Sequence, residues 1–234
     1  MPKYPRISPF GDQALLVEFS AEIRPQVLNR VRKAAQDVAK SRIRGIREVI
    51  PSYCSLFIGY DPFILSFAQA SSHLEKIACE EIKEPSPASA TRKIPVVYGG
   101  VFGPDLNYVA AFHKISPESV VERHSSVSYL VYAIGGFPGL PAMGIVPKEI
   151  ETPRLSVPRE KVPAGSVAIA GRQTGIYAIE SPGGWQWIGR TPLKIFDPLH
   201  DPPSLFRAGD RVRFYPISEV EFSKMEALDG FAQL

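Results

Sequence analysis

The stretch PQVLNRVRKAAQDV, residues 25–38, organises the first part of the chain. Its apolar residues stand 0, 1, 4, 7, 8 and 11 positions from Val27, so they share one face of a predicted helix. Apolar runs at 14–19, 46–50 and 55–60 predict strands around it. Asp61-Pro62 indicates a second helix start, because aspartate can cap free amides and proline needs no amide hydrogen there. Residues 92–98 predict one more strand.

The resulting order, β-α-β-β-α-β, is typical of a ferredoxin-like split βαβ domain, in which two helices cover one face of an antiparallel sheet. Later the chain changes character: residues 131–203 hold 10 of its 18 glycines and 11 of its 23 prolines. Short apolar runs between such turn formers are typical of β barrels. We therefore predict an α+β protein, with a ferredoxin-like domain at 1–98 and a mostly β barrel at 99–234. The loop at 84–91 is the alternative border.

Composition narrows the function classes. The chain has 234 residues, 44% hydrophobic and 22% charged, which suits one large or two small globular domains. A net charge of +3 is too slight to indicate a nucleic-acid partner, and no apolar run approaches the roughly 20 residues of a membrane span. The first residues, MPKYPR, lack the apolar core of a signal peptide, so we expect a cytoplasmic protein. The cysteines and histidines show no metal-ligand spacing, so no metal site is predicted.

Several motifs carry a family resemblance. They are IPVVYGG (94–100), FGPDL (102–106) and, above all, AGSVAIAGRQTGIY (164–177). The stretches SPGGW (181–185), IGRTPL (188–193), FDP (196–198), GDQAL (11–15) and DP (61–62) continue the match. On these motifs the whole chain resembles the KipI/PxpB family, also called allophanate hydrolase subunit 1. The resemblance implies an α/β domain followed by a cyclophilin-like β barrel.

Most members of that family are implied to be the B subunit of an ATP-dependent 5-oxoprolinase, which opens 5-oxoproline to L-glutamate. The resemblance therefore implies ATP with Mg as cofactor, a small-molecule substrate, and the A and C subunits (PxpA, PxpC) as partners. The chain has no GxxxxGK[ST] phosphate loop, so we expect ATP to be handled together with the partners, and a homo-oligomer stays open. Two alternatives remain: a KipI-like inhibitor of a histidine kinase, and the carboxyltransferase half of a biotin-dependent, urea carboxylase-like enzyme.

The candidate site residues follow from the matched motifs. The fork of an arginine side chain can hold a carboxylate or a phosphoryl group through two hydrogen bonds, although an arginine beside a turn can equally cap backbone carbonyls. We predict Arg172 and Gln173 as catalytic. The residues predicted to bind substrate are Phe137, Pro138, Gly139, Arg154, Thr174, Tyr177 and Arg190. A tight turn whose polar side chains satisfy backbone groups is the alternative for residues 173–177.

His124 is the third predicted catalytic residue, because an imidazole can act as general acid or base near neutral pH. A histidine at a helix C-terminus can equally be a cap. Nearby, the family's usual GFxPGFxYLG reads GGFPGLPAMG at 135–144, so Gly136 and Ala142 stand where the family pattern has aromatic residues. Each lost ring removes contact surface from any pocket beside this loop. The two tryptophans, Trp185 and Trp187, are predicted on opposite faces of one strand.

Overall fold

The structure is a computed structural model that describes residues 3–79 and 91–227. The chain divides into two compact units between residues 88 and 89. None of the helices in the described ranges is both long enough and apolar enough to cross a membrane.

The first unit is a four-stranded antiparallel sheet with two helices. Its elements are β1 (Arg6–Pro9), β2 (Ala14–Glu18), α1 (Pro25–Ser41), β3 (Ile46–Ser52), β4 (Ser55–Tyr60) and α2 (Phe67–Cys79). The strand order is β1-β2-β4-β3. The periodicity of α1 is confirmed, because Leu28, Val31, Ala34 and Val38 are all buried on one face. Val31, Ala34 and Val38 pack in one core with apolar residues of β2, β4 and α2.

The edge strand of this sheet is not the one predicted, so the predicted topology is wrong. The strand expected to complete it, β5 (Thr91–Tyr98), pairs instead with strands of the second unit. The edge beside β2 is taken by β1, which the sequence did not predict. The first unit therefore runs β-β-α-β-β-α, and the border predicted after Tyr98 falls before β5. Two prolines in or beside β1 make its sequence unlike that of a typical strand. An edge strand tolerates them because its outer amides need no partner.

The second helix also begins later than predicted. Asp61 does not cap it: one carboxylate oxygen accepts a hydrogen bond from the Phe63 amide and the other from Arg47. The helix starts at Phe67, after Ser66, whose hydroxyl accepts from the Gln69 amide. From the sequence we expect this helix to run to about residue 83, ahead of the loop of the alternative border, but residues 80–90 lie outside the described residues.

The second unit is built on a closed barrel, which confirms the predicted mostly β architecture. Its strands are β5, β6 (Tyr129–Ile134), β7 (Pro141–Gly144), β9 (Ser166–Ala170), β10 (Gln173–Ile176), β12 (Gln186–Arg190) and β13 (Arg211–Pro216). They close in the order β10-β7-β6-β13-β5-β12-β9, with β9 pairing to β10. Only β5 and β13 run parallel in this barrel. The likeness to cyclophilin stays a prediction.

Helices and a ribbon complete the second unit. The helices are α3 (Leu106–His113), α4 (Pro117–Ser126) and α5 (Glu219–Glu226), and a two-stranded ribbon joins β8 (Arg159–Val162) to β11 (Ser181–Gly183). Apolar residues of α3 and α4 share one buried core with inward-facing barrel residues such as Ile94, Met143 and Ile169. Ser218 and Glu221 have the sequence spacing of a capping box, a serine with a glutamate three residues later, which predicts a terminal helix. The structure confirms it, because the side chains of Ser218 and Glu221 each accept from the other's backbone amide.

Candidate functional site

An interior network links two buried side chains, His124 on α4 and Thr174 on β10, to the partly buried Tyr98 on β5. The Tyr98 hydroxyl lies 2.8 Å from His124 Nδ1, and His124 Nε2 lies 2.9 Å from Thr174 Oγ1. The Thr174 hydroxyl donates to the Ala168 carbonyl at 3.1 Å. Because that proton is committed, Thr174 accepts from His124 Nε2, and His124 Nδ1 accepts from Tyr98. The histidine is therefore neutral, with its proton on Nε2.

Burial keeps His124 neutral at physiological pH. The residue is 0% exposed, and burial lowers the pKa of the imidazole from 6.5 to about 3. Its ring stacks on Phe214, with centroids 4.7 Å apart, and the Tyr129 hydroxyl donates to its carbonyl. Burial also raises the pKa of Tyr98 well above its ordinary value. A general base must reach the proton it abstracts, and both His124 nitrogens already have protein partners. The geometry thus favours a positioning role over the predicted catalytic one.

Arg172 and Gln173 lie at the turn that joins β9 to β10. Gly171 takes a φ of +54° there, and Gln173 pairs with Ala170 across the hairpin. The side chain of Arg172 is 67% exposed, and its Nε lies 3.2 Å from a carboxylate oxygen of Glu151. Thr174, two residues on, faces the interior network. This hairpin connects the exposed guanidinium to the buried histidine through three consecutive residues.

Tyr177 and Arg154 lie in an outer cluster on the other face of the barrel wall. The buried residues of this outer cluster are Leu140, Val162, Ala168 and Tyr177. Trp185 packs against them, and Arg154 stands 5.7 Å above the Trp185 ring. Burial raises the pKa of Tyr177, while a hydrogen bond from the Trp185 backbone amide and the positive charges of Arg154 and Arg159 oppose that rise. Trp187 packs here as well, so the prediction that the two tryptophans lie on opposite faces is wrong. Side chains two positions apart on an extended chain point to the same face, so alternation itself places the two rings together.

A partly buried ion pair fixes one side of the outer cluster. One oxygen of Asp105 accepts from Arg159 Nη2 at 2.6 Å, and the other accepts from the Trp187 amide at 2.7 Å. Asp105 is only 7% exposed. The pair joins the start of α3, the ribbon strand β8 and the barrel strand β12. Sequence reasoning gave Asp105 no role, although it stands inside the matched FGPDL motif, because its partner is 54 positions away.

The remaining predicted residues lie elsewhere in the second unit. Arg190 Nε donates to the Ala164 carbonyl at 2.9 Å, and its guanidinium stands 5.6 Å above the Phe222 ring. Phe137 and Pro138 are exposed in the loop between β6 and β7, whereas Gly139 is buried against Phe196. The structure therefore brings together His124 with Thr174, and Arg154 with Tyr177. Of the arginines predicted to hold an anion, Arg154 and Arg172 have the exposed guanidinium groups.

No group of three or more histidine, cysteine, aspartate or glutamate residues in the described ranges is placed to hold a metal ion.

Comparison with known proteins places this fold in a family. The carboxyltransferase domain, subdomain C and D, matches residues 5–206. The 5-oxoprolinase B subunit of Bacillus subtilis is 41% identical over 227 residues, covering 93% of this chain and 95% of that protein. The Escherichia coli O157:H7 protein of the same name is 53% identical over 140 residues, covering 60% of this chain and 64% of its own length.

A solved structure agrees with that placement. The crystal structure of TTHA0988 matches with a TM-score of 0.78 at 33% identity, over 88% of this chain. The match spans 40% of the TTHA0988 chain. Both the motifs and the fold therefore point the same way, and the chain belongs to the carboxyltransferase subdomain C and D family, in the KipI/PxpB group that its motifs resemble.

Proposed function

We propose that this chain is the B subunit of a 5-oxoprolinase and has no activity without its partner subunits. The observation that carries the proposal is the 41% identity to a 5-oxoprolinase B subunit along 95% of that protein's length. The proposed reaction opens the lactam of 5-oxoproline to L-glutamate, with ATP hydrolysis supplying the free energy. We expect the complex to work in the cytoplasm.

The nucleotide chemistry is proposed to be shared with the A and C subunits, PxpA and PxpC. The sequence has no phosphate-loop motif, so ATP and Mg would be held with the help of these partners. ATP could activate the lactam by phosphorylating its amide oxygen before water attacks the carbonyl carbon. This chain would then contribute substrate contacts and the fixed frame that carries them.

Arg172 is the residue best placed for such a contact. Its guanidinium is exposed and has Glu151 beside its Nε, so its two terminal nitrogens could hold the carboxylate of 5-oxoproline. Gln173 follows it on the same hairpin. Thr174 and His124 would act through this hairpin, by fixing β10 beneath it. Arg154 and Tyr177 would form a second contact region on the outer cluster.

The proposal is tested by measuring ATP-dependent formation of glutamate from 5-oxoproline. We expect activity when this chain is mixed with PxpA and PxpC from the same source, and none from any of the three chains alone. An assembled complex that leaves 5-oxoproline untouched would reject the proposal. Failure of the three chains to assemble, together with capture of a histidine kinase, would support the KipI-like alternative. Retention of a biotinylated carrier would support the carboxyltransferase alternative.

Replacing Arg172 with glutamine should lower kcat/KM of the assembled complex by roughly 10-fold to 100-fold, the effect of losing one charged hydrogen-bonding group. The loss should appear mainly in KM if the group binds the ground state and the transition state equally. Steady-state kinetics with varied 5-oxoproline measures it. Arg207→Gln is the matched control, because Arg207 is exposed and lies on the loop before β13. Equal kinetics for the two variants would exclude Arg172 from the site.

A further inference from the structure

A cleft on the outer surface of the barrel is the strongest feature that the proposed function leaves unused. It has a volume of about 470 Å³ and opens beside the parallel strands β5 and β13. Its lining residues are Lys93, Ser125, Arg213, Phe214, Tyr215 and Pro216. None of the residues predicted for the 5-oxoprolinase site lines it.

Two cations stand side by side in this cleft. Arg213 and Lys93 are register partners on parallel strands, so their side chains project from the same face of the sheet. Neighbouring strands lie about 4.8 Å apart, which places the two charged chains against each other. Like charges directly opposite on adjacent strands destabilise a sheet unless something neutralises them. The pair is therefore costly for the protein alone.

The described part of the chain offers these cations no counter-charge. No carboxylate there lies within 4.0 Å of Lys93 or Arg213, and both side chains are exposed to solvent. Arg211 projects from the same face two residues before Arg213, and it donates to the Ser128 carbonyl at 3.4 Å. Asp210, which immediately precedes β13, lies 3.8 Å from a different arginine, Arg92. Among the described residues, the cleft therefore carries positive charge that no carboxylate neutralises.

We propose that the cleft between β5, β13 and the end of α4 binds a phosphoryl group through Lys93 and Arg213. Two cations match the charge of about −1.5 to −2 that a phosphate monoester carries, whereas a carboxylate carries only one charge. The ammonium and guanidinium groups also offer enough donors for three phosphoryl oxygens. This inference is independent of the 5-oxoprolinase reaction, because it concerns binding by the chain alone.

Calorimetric titration of the full chain with inorganic phosphate and pyrophosphate, at low ionic strength, tests the proposal. Lys93→Gln and Arg213→Gln should each weaken binding about tenfold, the effect of losing one charged hydrogen bond. Lys161→Gln and Arg207→Gln are the controls, since both residues are exposed outside the cleft, and they should bind as the parent does. Added salt should weaken binding by the parent, because these exposed charges are screened.

Measuring the Tm of each protein distinguishes a variant that has lost the phosphate site from one that has failed to fold. Phosphate should raise the Tm of the parent and both controls but raise it less in the two cleft variants, because a ligand stabilises the state that binds it. Without phosphate, the cleft variants should unfold at or above the parent's Tm, since the like-charge pair is gone. Binding that is absent from the parent, or equal in all five proteins, would overturn the proposal. Glutamate binding as tightly as phosphate would overturn the assignment to a phosphoryl ligand.

Discussion

Asp105→Ala is expected to lower the free energy of unfolding of the barrel unit by about 2–4 kcal/mol, because a partly buried cation and a backbone amide would lose the acceptor that they share. The carboxylate serves two donors at once, Arg159 Nη2 and the Trp187 amide. The other terminal nitrogen of Arg159 is buried with no hydrogen-bond partner in the described part of the chain. Removing Asp105 would therefore leave a poorly solvated cation and an unpaired backbone amide.

Urea unfolding followed by tryptophan fluorescence measures this loss in the right unit. Both tryptophans of the chain, Trp185 and Trp187, belong to the second unit, so the signal reports on the barrel. Glu180→Ala is the matched control: it removes the partner of Lys161 at 3.3 Å, an exposed pair on the same ribbon region, and should cost less than about 1 kcal/mol. Asp105→Asn should fall between the two, because its amide oxygen still accepts from Trp187. An Asp105→Ala variant no less stable than Glu180→Ala would contradict the structural role.

Local patterns in the sequence predicted the local elements well. The apolar face of α1 and the capping box of α5 each depend on residues within a few positions of one another, and both are confirmed. Glycines and prolines between the short apolar runs correctly indicated a barrel, because these turn formers mark where each strand ends. Which strands pair with one another was harder to predict from the sequence. The edge of the first sheet could be closed by β1 or by β5, and only tertiary contacts decide between them.

In the candidate site, too, the sequence indicated single residues but not their long-range contacts. The sequence indicated His124 and Thr174 separately, but these residues are 50 positions apart, and no local pattern predicts their hydrogen bond. It also offered no means of telling an accessible imidazole from one sealed inside a barrel. A histidine on a helix that packs against a strand-rich core can be either exposed to solvent or buried. Burial decides the chemistry here, since it lowers the pKa of His124 to about 3.

That burial leads to the second large expected effect, a loss of stability on acidification that depends on His124. In the unfolded chain its pKa is 6.5, and in the folded protein it is about 3. Between these values the unfolded state binds the proton more tightly, so stability falls as the pH falls. The contribution is complete above pH 6.5 and should decrease by about 3 kcal/mol near pH 4, at 1.36 kcal/mol for each pH unit.

His124→Phe isolates this contribution, because phenylalanine keeps a ring against Phe214 and has no proton to gain. At pH 7 the variant should be less stable than the parent by about 1–3 kcal/mol, since the Tyr98 hydroxyl loses its acceptor. Near pH 4 this gap should close or reverse, because only the parent loses the histidine contribution. Urea unfolding at both pH values measures the gap, and His73→Gln, which changes an exposed histidine on α2, should keep the parent's pH dependence. If parent and His124→Phe lost equal stability on acidification, His124 would have to be accessible to protons in the folded barrel, and a general acid-base role would regain its basis.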